Sequence, residues 1–225
     1  MSRQYIVADD HPLFREALIG AVARHDASIR FVQADSVAGL LMAIEAEPEA
    51  DLLLLDLNMP GAQGFNALAH VRGIRPQLPV VVISADDDPQ TIHSALRFGA
   101  QGFIPKSMDS GQMVEAIEQV LDGEIYTPPG FQAPRSEDTS SEELEIARRI
   151  AELTPQQFRV LGMLCSGLLN KQIAYELQVS EATVKAHVTA ILRKLGVGTR
   201  TQAVLAAGRL AVDRASVKPP PEEPD

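Results

Sequence analysis

Three carboxylates, a hydroxyl and a lysine stand in the front half of this chain, each close behind a short apolar run. Asp9 and Asp10 follow Tyr5-Ile-Val-Ala8, Asp56 follows Leu52-Leu-Leu-Leu55, Ser84 closes Pro79-Val-Val-Val-Ile83, and Lys106 follows Gly102-Phe-Ile-Pro105. If the runs are parallel strands, these side chains share one edge, because open α/β sheets bind ligands outside the carboxyl ends of their strands. Three carboxylates in one cleft repel one another, and each resists ionisation unless a cation joins them. A hard divalent ion such as Mg²⁺, which prefers oxygen ligands, removes that penalty. With a lysine to offset charge and a hydroxyl to hold one oxygen, the set has what phosphoryl transfer to a carboxylate requires. Asp56, at the end of the middle strand, is the expected nucleophile. His11 adjoins the acidic pair, but the histidines of this chain are scattered singly without ligand spacing, so it receives no role.

The elements that must carry these residues follow from periodicity. Strands are expected at 5–8, 31–34, 52–56, 79–84 and 102–104. Helices are expected from Pro12 to His25, from an N-cap at Ser36 to Ile44, over about 64–71 and 89–98, and from Asp109 or Ser110 to Leu121. Such alternation means right-handed crossovers and a five-stranded parallel sheet with helices on both faces.

Composition separates the two halves. Residues 1–130 hold 8 Lys and Arg against 18 Asp and Glu, whereas residues 154–214 hold 8 against 3. A small basic module behind an acidic one suggests that only the module meets a polyanion. One cysteine, Cys165, excludes an intramolecular disulfide and fits a reducing compartment. There is no signal-like start and no apolar run near the ~18 residues a membrane span needs, so a cytoplasmic protein without membrane contact is expected.

Residues 127–152 shift to Pro, Ser and acidic residues and read as a tether, within which Ser141–Ile150 forms at most a short helix with Leu144, Ala147 and Ile150 on one side. Thr154-Pro-Gln-Gln157 is a capping box with proline at the first helical position. That helix ends at Gly167, a second spans 171–178, and Ser180 caps a third that ends at Gly196. Short helix, tight turn and longer helix make the helix-turn-helix pattern. Ala182, Lys185, Ala186, Thr189 and Arg193 face away from the apolar side of the third helix, where small residues let a helix sit in the major groove of duplex DNA. Asn170, Lys171, Thr183, His187, Lys194 and Arg200 flank that face as expected backbone contacts. The Pro-rich stretch 215–225 is expected to be disordered.

Residues 4–122, with Asp9-Asp10, Leu-Leu-Asp56-Leu-Asn-Met-Pro-Gly, Ser84 and Gly-Phe-Ile-Pro-Lys106, resemble a bacterial response-regulator receiver domain. The run from Leu153-Thr-Pro-Gln through Asn170-Lys-Gln-Ile-Ala, Ser180-Glu-Ala-Thr-Val-Lys-Ala-His-Val and Lys194-Leu-Gly-Val to Arg200-Thr-Gln-Ala resembles the LuxR-type (NarL/FixJ-type) helix-turn-helix. The resemblance implies a flavodoxin-like receiver at 1–126, a linker at 127–152 and an all-α four-helix DNA-binding domain at 153–214. It implies that Asp56 takes phosphate from a sensor histidine kinase. Mg²⁺ would be held by Asp10, Asp56 and the Asn58 carbonyl, with Asp9 acting through water. Ser84 would swing toward the phosphate and Phe103 turn inward behind it. Base contacts would come from Lys185, Ala186 and Thr189, and the fourth helix, about 201–212, would pair two modules into a homodimer. Two other readings remain open: an aspartyl-phosphate phosphatase, against which Asn58 stands where such enzymes need a second acid, and a DNA-binding regulator whose front half only dimerises.

Overall fold

The structure, a computed structural model, describes residues 3–62, 64–132 and 141–210. The middle of the expected tether, the fourth helix past 210 and the Pro-rich tail lie outside the described residues.

Five strands alternate with five helices: β1 (Gln4–Ala8), α1 (Pro12–His25), β2 (Arg30–Ala34), α2 (Val37–Ala46), β3 (Leu52–Leu55), α3 (Asn66–Ile74), β4 (Val80–Ser84), α4 (Pro89–Arg97), β5 (Gly102–Pro105) and α5 (Ser110–Leu121). All pairings are parallel, in the order β2-β1-β3-β4-β5. The order reverses between β1 and β3, and that crevice is where such sheets hold ligands.

The continuous apolar runs are explained by burial on both faces. Leu52 and Leu54 point, with Tyr5, Val7, Val81 and Ile83, toward α1 and α5. Leu53 and Leu55 point, with Ile6, Ala8, Val80 and Val82, toward α2, α3 and α4. Each fully buried leucine contributes roughly 1.5–3 kcal/mol relative to exposure, so a charged residue within β3 would not be tolerated. The first place a carboxylate fits is the strand end, Asp56. Side-chain caps start the helices where the sequence offers them: Ser36 accepts from Gly39 N, Asp88 from Gln90 N and Asp109 from Gly111 N.

The back half contributes α6 (Ser141–Ala151), α7 (Pro155–Cys165), α8 (Asn170–Glu176), α9 (Glu181–Leu195) and α10 (Arg200–Gly208). The capping box at Thr154 forms as the spacing predicts. Between α8 and α9 the chain turns through Gln178 at φ 53°, and Ser180 caps α9 by accepting from Thr183 N. Gly196 ends α9 in the left-handed conformation at φ 69°.

The tether departs from expectation. Ile146, Ala147 and Ile150 of α6 are buried against α3, and one apolar cluster runs from the sheet through α6 into α7, α9 and α10. Two helices approach this closely because Gly73 carries no side chain; a Cβ there would overlap the Ala151 carbonyl. The other face of α6 serves the back half, where Arg149 donates to Leu195 O at the end of α9 (2.8 Å).

The seam continues beyond α6. Phe65 N donates to Leu210 O (2.8 Å) and Asn66 Nδ2 to Ala207 O (3.1 Å). The His70 ring stacks on Phe158 with centroids 4.1 Å apart and planes at 14°. Gly162 of α7 lies against Gly61 O, in the loop that follows β3. Ser36, Val37, Pro60 and Gly61 on one side and Phe158, Arg159 and Met163 on the other line a cavity of about 130 Å³ in the same seam.

Candidate functional site

The carboxyl edge of the sheet gathers the five residues singled out by the sequence. Asp9 and Asp56 are almost fully buried, and one carboxylate oxygen of each faces the Lys106 ammonium, at 2.8 and 3.0 Å. Lys106 reaches them because its own backbone N donates to Ser84 O (2.7 Å), tying the loop after β5 to the end of β4. Its Nζ also lies 5.0 Å from the Phe14 ring centroid, a cation–π contact. The other Asp56 oxygen, Oδ1, accepts from Asn58 N (3.3 Å). Ser84 is fully buried, and its Oγ accepts from Asp86 N (3.1 Å).

Burial pushes the Asp56 carboxyl above the usual carboxylate range, against the pull of the Lys106 ammonium, and neighbouring Asp9 pushes it the same way. One lysine therefore leaves three carboxylates under-compensated. Donor atoms of Asp9, Asp10, His11 and Asp56 lie within 4.8 Å of one another, a spacing at which one divalent ion touches several. A hard cation fits this set on its chemistry, since three of the four donors are carboxylate oxygens.

The Phe103 ring is fully buried, packed in the core between the sheet and α4.

The second candidate site lies on α9. Lys185, Ala186, Thr189 and Arg193 are exposed along one face, with Ala182 and Thr183 exposed in the first turn, while Val184, Ile191 and Leu195 are buried behind them. Lys171 is also exposed, and Asn170 and His187 are half-buried. Two of the expected phosphate contacts are occupied inside the protein instead. Lys194 Nζ donates to Glu152 O (2.7 Å) and Gln157 Oε1 (2.8 Å), tying α9 to the start of α7. Arg200 donates to the Leu164 and Leu168 carbonyls at the end of α7. Both charges satisfy helix-end carbonyls, which local sequence does not reveal because the partners lie 32 to 42 residues away. Sequence reasoning also missed His70, Gly73 and Arg149. The only signal was a lone histidine and a glycine inside an otherwise apolar helical pattern.

Residues 5–118 match the model of the response regulator receiver domain, and residues 151–207 match that of bacterial regulatory proteins of the luxR family. The chain is 42% identical to the glycerol metabolism activator of Pseudomonas putida, over 90% of this chain and 94% of that protein. It is 31% identical to the transcriptional regulatory protein DegU of Brevibacillus brevis, over 90% and 91%. Among solved structures, a LuxR family DNA-binding response regulator from Silicibacter pomeroyi aligns with a TM-score of 0.51 at 30% identity, covering 57% of this chain and 99% of that one. RcsB from Salmonella enterica serovar Typhimurium, solved on promoter DNA, shares the fold with a TM-score of 0.55 at 20% identity, covering 94% and 100%. On these matches the chain belongs to the response regulators that join a receiver domain to a DNA-binding domain of the LuxR family.

Proposed function

We propose that this protein is a transcriptional regulator in which phosphate on Asp56 controls pairing of the DNA-binding module. The observation that carries the reading is a covalent path. Asp56 directly follows β3, and the next helix along the chain is α3, whose N-cap Phe65 and residues Asn66, His70 and Gly73 make the seam with the back half.

In the chemical step an Asp56 carboxylate oxygen attacks the phosphorus of a phosphohistidine on a sensor histidine kinase. The P–N bond breaks and the imidazole leaves. The Lys106 ammonium, already within 3.0 Å, offsets part of the added charge, and the Ser84 hydroxyl, at present an acceptor, keeps its proton to donate to a phosphoryl oxygen. Asp10, Asp56 and the Asn58 carbonyl would hold Mg²⁺, with Asp9 acting through water. When bound, that ion supplies the positive charge one lysine lacks.

A phosphoryl group adds roughly −1.5 to −2 charges to this cleft. The chain that follows Asp56 must adjust, and the seam on α3 shifts with it, a change in the population of open and closed forms. The Lys185–Thr189 face of α9 is exposed in the closed form. What closure holds is the far end of α10, where the Ala207 and Leu210 carbonyls accept from the receiver. Opening frees α10 to meet a second copy, and a dimer places two α9 helices on two half-sites of promoter DNA. The protein would act in the cytoplasm; among the described residues no helix is long and apolar enough to cross a membrane.

The test uses the full chain, immobilised and offered sheared genomic DNA, with and without acetyl phosphate and Mg²⁺. Phosphodonor should sharpen enrichment of a small set of fragments, and Asp56→Ala should abolish that gain. Equal enrichment by the native chain under both conditions would overturn the reading.

A further inference from the structure

The His11 side chain is turned to the acidic edge and not to the helix it precedes. The residue occupies the N-cap of α1, yet its side chain caps nothing, and the ring is 64% exposed. Its backbone N donates to Asp9 Oδ1 (2.8 Å), which turns the residue back over the acidic edge. Nδ1 then lies 2.7 Å from Asp10 Oδ1, 3.2 Å from Asp9 Oδ1 and 4.0 Å from Asp56 Oδ2.

The oxygens divide between two neighbours. Asp9 Oδ2 and Asp56 Oδ2 face the Lys106 ammonium, whereas Asp9 Oδ1 and Asp10 Oδ1 face the imidazole. A divalent ion joining the carboxylates on the side away from Lys106 therefore sits within reach of a nitrogen donor. Oxygen-only sets suit Mg²⁺. An imidazole added to them favours first-row transition ions, which accept mixed nitrogen and oxygen ligands.

We propose that His11 is a metal ligand that shifts the preference of the phosphorylation site from Mg²⁺ toward a transition-metal divalent ion of the Mn²⁺ class. This rests on the reading of Asp56 and its neighbours as a cation-dependent phosphorylation site, and it makes the choice of ion a property of one residue. Because the ring is largely exposed, replacing it leaves the core of the fold untouched.

The test uses the full-length chain with Mn²⁺ and Mg²⁺ as the only probes. Pulsed electron paramagnetic resonance of bound Mn²⁺ should show coupling to a directly bound ¹⁴N in the native protein, lost in His11→Phe and in His11→Gln. Calorimetric titration should show the Mn²⁺ to Mg²⁺ affinity ratio falling on the order of tenfold in both variants, with Mg²⁺ affinity little changed. Mn²⁺ bound without nitrogen coupling, or an unchanged ratio in both variants, overturns the role of His11 and leaves the phosphorylation site standing. Native protein that binds neither ion, or binds both equally well as Asp10→Ala, overturns the cation site and the inference with it.

Discussion

Acid should open the seam between the receiver and the DNA-binding module, and His70 is the reason. Its ring is fully buried between α3, α6 and α7, stacked on Phe158, with Nδ1 3.4 Å from Ile150 O and no partner for Nε2. Burial lowers its pKa from 6.5 to about 4. The closed form therefore binds a proton less tightly than the open form, and closure is favoured fully above about pH 6.5 and progressively less as pH falls toward about 4. The whole effect is about 3 kcal/mol. Between about pH 7 and pH 5 the opening equilibrium should rise about 20-fold. Amide hydrogen exchange across Ser141–Ala151, corrected for the intrinsic pH dependence of exchange, reads this equilibrium even when the open form is rare. His70→Phe keeps an aromatic ring against Phe158 but takes no proton, so its corrected protection should hardly change over that interval. Equal losses of protection in the native chain and the variant would refute the reasoning.

Other outcomes follow from single contacts. Gly73→Ala places a methyl group against the Ala151 carbonyl, so the seam should weaken by about 1–3 kcal/mol; self-association measured by sedimentation should then occur without phosphodonor. Lys106→Met removes the ammonium shared by Asp9 and Asp56, so the rate of labelling by acetyl phosphate should fall on the order of 10²-fold, and the melting temperature should fall as two buried carboxylates lose their counter-charge. Lys171→Ala should reduce the slope of log affinity for DNA against log salt by about 1. Lys194→Ala should leave that slope alone and lower the melting temperature, since its ammonium holds Glu152 O and Gln157 Oε1.

The parts of this protein legible in its sequence are those decided locally. Four leucines in a row announce a strand covered on both faces, and the carboxylate behind them stands where the cover ends. Thr154, Ser180 and Ser36 announce helix starts because a side-chain oxygen and a backbone N–H within three residues settle the matter. The seam was not legible. Five of the eleven residues of α6 are charged, and its three buried residues find their partner only because Gly73, far away in the chain, leaves room. His70 sits at a position periodicity assigns to core, and nothing local says that the core there belongs to two modules. Lys194 and Arg200 read as free charges until the helix-end carbonyls they reach are in place.

The central claim is that Asp56 and the seam are two ends of one device, and the His70 imidazole can report on both. Its protonation, followed by ¹⁵N-edited NMR at about pH 6, should be almost nil in the unmodified chain and rise toward that of a free imidazole once Asp56 is phosphorylated. A fully phosphorylated protein whose His70 stays neutral at that pH would contradict it.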